Sequence, residues 1–90
     1  MGYEWDSLKE RSNFDKHNVH FADAVGALED DGARTIRDEA CEEEERWITL
    51  GVDFLGRILA VVWTWRGDNL RLISARPATR RERKQYGERL

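Results

Sequence analysis

Three apolar stretches between residues 46 and 75, cut by two turn signals, leave this chain few ways to fold. Residues 46–52, 57–66 and 70–75 are rich in β-branched and aromatic side chains, the types that fit a pleated, half-buried surface. Asp53-Phe54-Leu55-Gly56 separates the first stretch from the second. Gly67-Asp68 is a two-residue hairpin signal between the second and third. An antiparallel β-meander follows. Alternate strand residues point to opposite faces, so registering the strands by their turns sorts the side chains. One face collects Ile48, Leu50, Leu59, Val61, Trp63, Trp65, Leu70 and Leu72, which makes it a core face. The other collects Trp47, Thr49, Ala60, Val62, Thr64, Arg66, Arg71, Ile73 and Ala75, and reads as partly open.

Helical signals lie on either side of the meander. Asp6 can cap a helix running to about His17, with a brief strand over residues 3–5 ahead of it. Asn18 tolerates the left-handed conformation that ends helices. At roughly 100° per residue, Lys9, Asn13, Lys16 and His17 fall within about a third of a turn. Phe21, Ala24, Val25 and Leu28 then form one buried stripe, the natural cover for the core face. Glu29-Asp30-Asp31-Gly32 ends that second helix. Residues 34–37 read as a short edge strand, and residues 39–45 as a solvated acidic loop or strand lead-in. After the meander, Pro77 forbids continuation of a buried strand and biases Arg76 towards an extended conformation. Thr79 and Glu82 have the spacing of a capping box. The helix it opens places Arg76, Arg80, Arg81, Arg83 and Lys84 in one positive corner.

Ninety residues with 40% apolar side chains and four tryptophans predict one domain, residues 1–90, with a packed core rather than disorder. No apolar run approaches a membrane span, and the N-terminus lacks a signal-peptide layout. The single cysteine, Cys41, reads as an ordinary loop thiol and suits a reducing cytoplasm. The net charge of −3 argues against a nucleic-acid partner until its distribution is examined. Residues 1–45 carry 5 basic and 14 acidic side chains, whereas residues 46–90 carry 10 basic and 4 acidic. A polyanion would sit on the basic side. Both faces being merely solvated is the plainer alternative.

The opening Tyr3-Glu4-Trp5-Asp6, with Lys9, Asn13, Lys16-His17, Val19 and Phe21, resembles the start of the BrnT toxins of bacterial type II toxin–antitoxin systems. Glu45-Arg46-Trp47-Ile48-Thr49-Leu50-Gly51 resembles that family's first meander strand. Thr64, Arg66, Arg71, Leu72-Ile73-Ser74-Ala75-Arg76, Ala78, Glu82-Arg83 and Tyr86 follow its closing pattern. Asn18 stands where glycine is usual, and His20 replaces a small capping residue, which would loosen the start of the second helix. The resemblance implies a small α+β ribonuclease of RelE-like fold: N-terminal helices on a twisted antiparallel sheet, with a C-terminal helix. It further implies arrest of translation by RNA cleavage, and neutralisation by a ribbon-helix-helix antitoxin whose complex represses its own operon.

RNA cleavage without a metal must deprotonate a 2′-hydroxyl, hold the phosphate's growing charge and protonate the departing 5′-oxygen. Guanidinium groups suit the second task, because their fork binds phosphate oxygens bidentately. Arg71 and Arg76 are therefore catalytic candidates, although their opposite strand parity lets them converge only if the backbone turns before Pro77. Arg66, Arg80 and Arg83 are RNA-binding candidates. His17 is the acid–base candidate or a helix cap, and His20 a weaker one. Tyr86 either serves the chemistry or anchors the last helix. Trp47 either stacks on a base or is covered by another element. Glu82 is committed to the capping box. No Cys/His metal spacing, phosphate loop or nucleophile elbow occurs, so no metal or cofactor is expected. The rival reading is a non-catalytic module that binds a small DNA-binding protein and modulates its operator affinity.

Overall fold

The computed structural model describes residues 1–40 and 42–87, so Cys41 lies outside the described residues. Its elements are β1 (Tyr3–Glu4), α1 (Ser7–His17), α2 (Phe21–Leu28), β2 (Arg34–Arg37), β3 (Trp47–Val52), β4 (Ile58–Arg66), β5 (Asn69–Pro77) and α3 (Arg80–Gly87). The strands form one sheet in the order β1-β5-β4-β3-β2. The expected meander is present, with β2 added antiparallel at one edge. The sheet is mixed rather than wholly antiparallel, because the N-terminal β1 runs parallel to β5. No helix among the described residues is long and apolar enough to cross a membrane.

The caps act as the sequence predicts, with one substitution. Asp6 Oδ2 accepts from the Lys9 amide at 3.2 Å, and Asn18 ends α1 in the left-handed region (φ 58°, ψ 34°). His20 gives α2 no side-chain cap. Glu10 of α1 supplies it instead, accepting from the Phe21 amide at 3.2 Å while its Oε1 lies 3.0 Å from His20 Nδ1. The loosening expected from His20 is thus offset by a neighbouring helix.

α2 covers one face of the sheet, with Phe21, Ala24 and Ala27 fully buried against Leu59, Val61, Leu72 and Ala75. It approaches closely at Gly51, where any Cβ would collide with the Ala27 carbonyl.

The face assignment of β3 is inverted relative to the sequence reading. Trp47, Thr49 and Gly51 pair with Trp63, Val61 and Leu59, so they lie on the α2 side, and Ile48 and Leu50 lie on the other. The cause is the turn. Asp53 N–H donates to the Arg57 carbonyl at 2.8 Å, closing a three-residue loop in which Gly56 has φ +84°. Asp53 also accepts from the amides of Leu55 and Arg57 and from the Arg57 guanidinium. Four turn residues would shift the register by one and exchange the faces. Thr49 is consequently buried, accepting from Trp63 Nε1 at 2.8 Å.

A second irregularity lies in β5. Val62 pairs with Ser74 but Trp63 pairs with Leu72, leaving Ile73 as an extra residue. Parity therefore changes at Ile73: Ala75 turns into the core, and Ser74 and Arg76 join Arg71 on the face opposite α2. Pro77 does not stop the strand early; it is paired with Leu59 as the last residue of β5.

Beyond β1, the outer edge of β5 is covered by α1 through one side chain. Asn13, 6% exposed, accepts from the Ala75 amide at 2.9 Å and donates to the carbonyls of Ala75 (2.8 Å) and Val19 (3.0 Å). Its amide completes the hydrogen bonding that a neighbouring strand would supply.

Candidate functional site

Because Asn13 fastens α1 along β5, the α1 residues beside it overhang the bulge. Lys9, Ser12, Lys16 and His17 face Ile73 and Ser74 across a cavity of about 210 Å³. It adjoins a second cavity of about 300 Å³ in which Lys9 and Ile73 recur, now with Arg46, Thr64, Arg66 and Arg71. Together they make one groove along the α1–β5 seam, walled by a helix on one side and by the open sheet face on the other.

The groove is electropositive. Lys9, Lys16, Arg46, Arg66 and Arg71 line it, and His17 adds an imidazole. Two carboxylates oppose them. Glu44 Oε1 accepts from Arg46 Nε at 2.8 Å, and Glu4 touches Arg71 through a single 3.3 Å contact. The side chains of Lys9, Lys16 and Arg66 have no carboxylate partner among the described residues. Such a track of cations offers several donors to phosphate oxygens. Among the described residues, no group of three or more His, Cys, Asp or Glu side chains is gathered to hold a metal ion.

Not every predicted site residue reaches the groove. Arg76 shares the sheet face with Arg71, which the bulge made so, but its guanidinium is engaged by Glu82 at 2.6 and 2.9 Å. Glu82 also closes the predicted capping box, accepting from the Thr79 amide at 2.9 Å, while its own amide donates to Thr79 Oγ1 at 3.1 Å. The hydrogen bonds from Arg76 hold the Glu82 carboxyl at about 2, against partial burial that would raise it; the Thr79 amide adds to the depression. The same bonds raise the Arg76 pKa.

Arg80 and Arg83 stand exposed on α3. Tyr86 is the anchor rather than part of the groove: its hydroxyl donates to Asp30 Oδ2 at 2.6 Å, and Arg34 donates to the neighbouring Gln85 carbonyl at 2.8 Å. Trp47 does not lie on the open face. It is half-buried on the α2 side, with its ring 6.1 Å from that of Trp63. His20 lies flat against Phe14, with ring centroids 4.0 Å apart, away from the groove.

Three of the lining cations were not among the sequence candidates: Lys9, Lys16 and Arg46. The shared helix face of Lys9, Asn13, Lys16 and His17 was the available signal for the first two. For Arg46 no signal exists, since its place in the groove depends on the acidic loop before it.

Residues 5–82 match the family profile of the ribonuclease toxin BrnT of type II toxin–antitoxin systems. The chain matches no curated protein. Among solved structures it is similar to the Brucella abortus ribonuclease toxin, BrnT. The TM-score is 0.70 at 29% identity, covering 89% of this chain and 99% of that one.

Proposed function

Since this chain belongs to the BrnT family of ribonuclease toxins of type II toxin–antitoxin systems, we propose that its α1–β5 groove binds RNA and cuts it without a metal ion. The observation that carries this reading is the convergence of Lys9 from α1, Arg66 from β4 and Arg71 from β5 in one recess that also holds His17. In the proposed reaction His17 takes the proton from a 2′-hydroxyl. The 2′-oxygen attacks phosphorus, the bond from phosphorus to the 5′-oxygen breaks, and the 5′-oxygen takes a proton from solvent water, the His17 proton returning to solvent, which leaves a 2′,3′-cyclic phosphate and a free 5′-hydroxyl. Arg71 and Lys9 hold the charge that grows on the non-bridging oxygens. Charge stabilisation of this kind is commonly the largest catalytic contribution.

A type II toxin implies an antitoxin partner. We read that partner as a ribbon-helix-helix protein that covers the groove, and the cellular outcome as arrest of translation in the cytoplasm. The fold, with helices on a five-stranded mixed sheet, is read as RelE-like on the same likeness.

The test is inducible expression with growth and RNA integrity followed together, for the wild type and for Arg71→Ala and Lys9→Ala. Purified protein is then assayed on RNA with and without a chelator. Growth arrest with RNA loss in the wild type alone, unaffected by chelator, is the expected outcome. Intact RNA at good soluble expression overturns it. One feature favours the rival reading of a non-catalytic module, namely that Arg76 and Arg71 both touch carboxylates of the chain itself. Tightened operator binding by the partner, with no RNA cut, would establish that rival.

A further inference from the structure

The two cavities that make up the groove are chemically unequal. The smaller holds His17 and the hydroxyls of Ser12 and Ser74, groups able to move or share a proton. The larger, about 300 Å³, gathers the cations Lys9, Arg46, Arg66 and Arg71 with Glu44, which is paired with Arg46, and Thr64, whose hydroxyl is already donated to the Glu45 carbonyl at 2.6 Å. It can hold an anion but has no free group for proton transfer. Its carboxylates, Glu44 on Arg46 and Glu4 on Arg71, leave Lys9 and Arg66 without acid partners among the described residues. Lys9 lines both cavities and stands at their junction.

We propose that the Arg66 end of the larger cavity is a separate subsite for a phosphodiester neighbouring the one that is cut, while Arg71 in the same cavity stays on the reacting phosphate. The protein then requires a single strand of at least three nucleotides, with Lys9 shared between the two phosphates. This rests on the ribonuclease reading above. Successive phosphates are joined by one sugar, so a strand laid along the seam presents its second phosphate to whatever adjoins the reacting one. The seam lies between one helix and one strand. A flexible single strand can follow it, which is how most RNA recognition outside duplexes works. Binding in the remote subsite is energy that can be used to orient the reacting bond, so truncating the substrate lowers turnover as well as affinity.

The experiment compares a dinucleotide with a tetranucleotide containing the same scissile step, by cleavage and by fluorescence anisotropy. For the wild type, kcat/KM for the tetranucleotide exceeds that for the dinucleotide by about 100-fold or more. Arg66→Ala shrinks that ratio at least tenfold and lowers the salt slope of tetranucleotide binding by about 0.7. Lys9→Ala weakens both substrates. Arg66 is exposed near the β4–β5 turn, so an unchanged thermal midpoint separates these effects from misfolding. A wild-type ratio near one, or an unchanged ratio in Arg66→Ala, overturns the subsite. Should no RNA be cut at all, the ribonuclease reading fails, and the anisotropy ratio still decides whether a second phosphate is bound.

Discussion

The molecule has two basic regions, and they differ in what their charges are free to do. The corner at the end of β5 and the start of α3 is dense in arginine along the chain. At the sheet, though, its Arg76 is held bidentately by Glu82, and α3 is tied down through Tyr86 and Gln85. The α1–β5 groove draws its cations singly from distant segments, yet Lys9, Lys16 and Arg66 there lack acid partners among the described residues. Density of charge in a sequence is therefore a poor guide to availability of charge on a surface. Arg76 serves to join strand to helix; Lys9, Lys16 and Arg66 have no such carboxylate pairing among the described residues.

The sharpest way to break this contrast is to remove one arginine from each region. Arg71→Ala should lower the rate of RNA cleavage by about 100- to 1,000-fold, the range for loss of a donor that stabilises developing charge. Arg76→Ala should lower it about tenfold or less. Equal losses, measured on matched soluble protein, would mean that the Glu82 pair opens during the reaction and that the two regions form one site. Asn13→Ala comes next. It leaves two carbonyls and an amide without partners at a buried edge, at a cost of about 3 kcal/mol, or roughly 15 °C in the melting temperature of a chain this size. Cleavage measured well below that melting point would also fall, because Asn13 is what holds Lys9 and His17 over the bulge. Tyr86→Phe is milder. Losing the bond to Asp30 should cost about 1.5 kcal/mol in urea denaturation with turnover unchanged, and a large drop in turnover would return Tyr86 to the chemistry.

The elements themselves were legible because their signals are local. Asp6 and Asn18 bracket α1, Gly67 makes the β4–β5 turn with φ +60°, and Thr79 with Glu82 opens α3, all within a few residues of where each acts. What failed was register, which depends on counting rather than on type. Asp53 and Arg57 pair across their loop and turn β3 over, which carries Trp47 from the open face to the covered one. The extra residue at Ile73 reverses parity a second time and brings Arg76 to the side of Arg71. A bulge inside an alternating run leaves no compositional mark, so the convergence the sequence made conditional on a backbone turn had to be seen. The groove was half legible for the same reason: the α1 face was plain, but its neighbour across the seam was not.

The smallest expected effect tests the corner alone. The carboxyl of Glu82 is held at about 2, below its ordinary 4.5, so its pair with Arg76 contributes stability above the ordinary value, and that contribution is lost as pH falls from 4.5 towards 2. The whole depression would be worth about 3 kcal/mol. Solvent reaches 35% of the Arg76 side chain, which reduces the figure to about 1 kcal/mol. The useful quantity is the stability gap between wild type and Glu82→Gln, in which contributions common to both proteins cancel. That gap should be constant above about pH 5.5 and close by about 1 kcal/mol on acidification to pH 2. Glu4→Gln, which removes only a 3.3 Å contact to Arg71, should cost less than about 0.5 kcal/mol at neutral pH. If instead Glu4→Gln proves the more costly of the two, Arg71 is the structurally committed arginine, and the roles of corner and groove are exchanged.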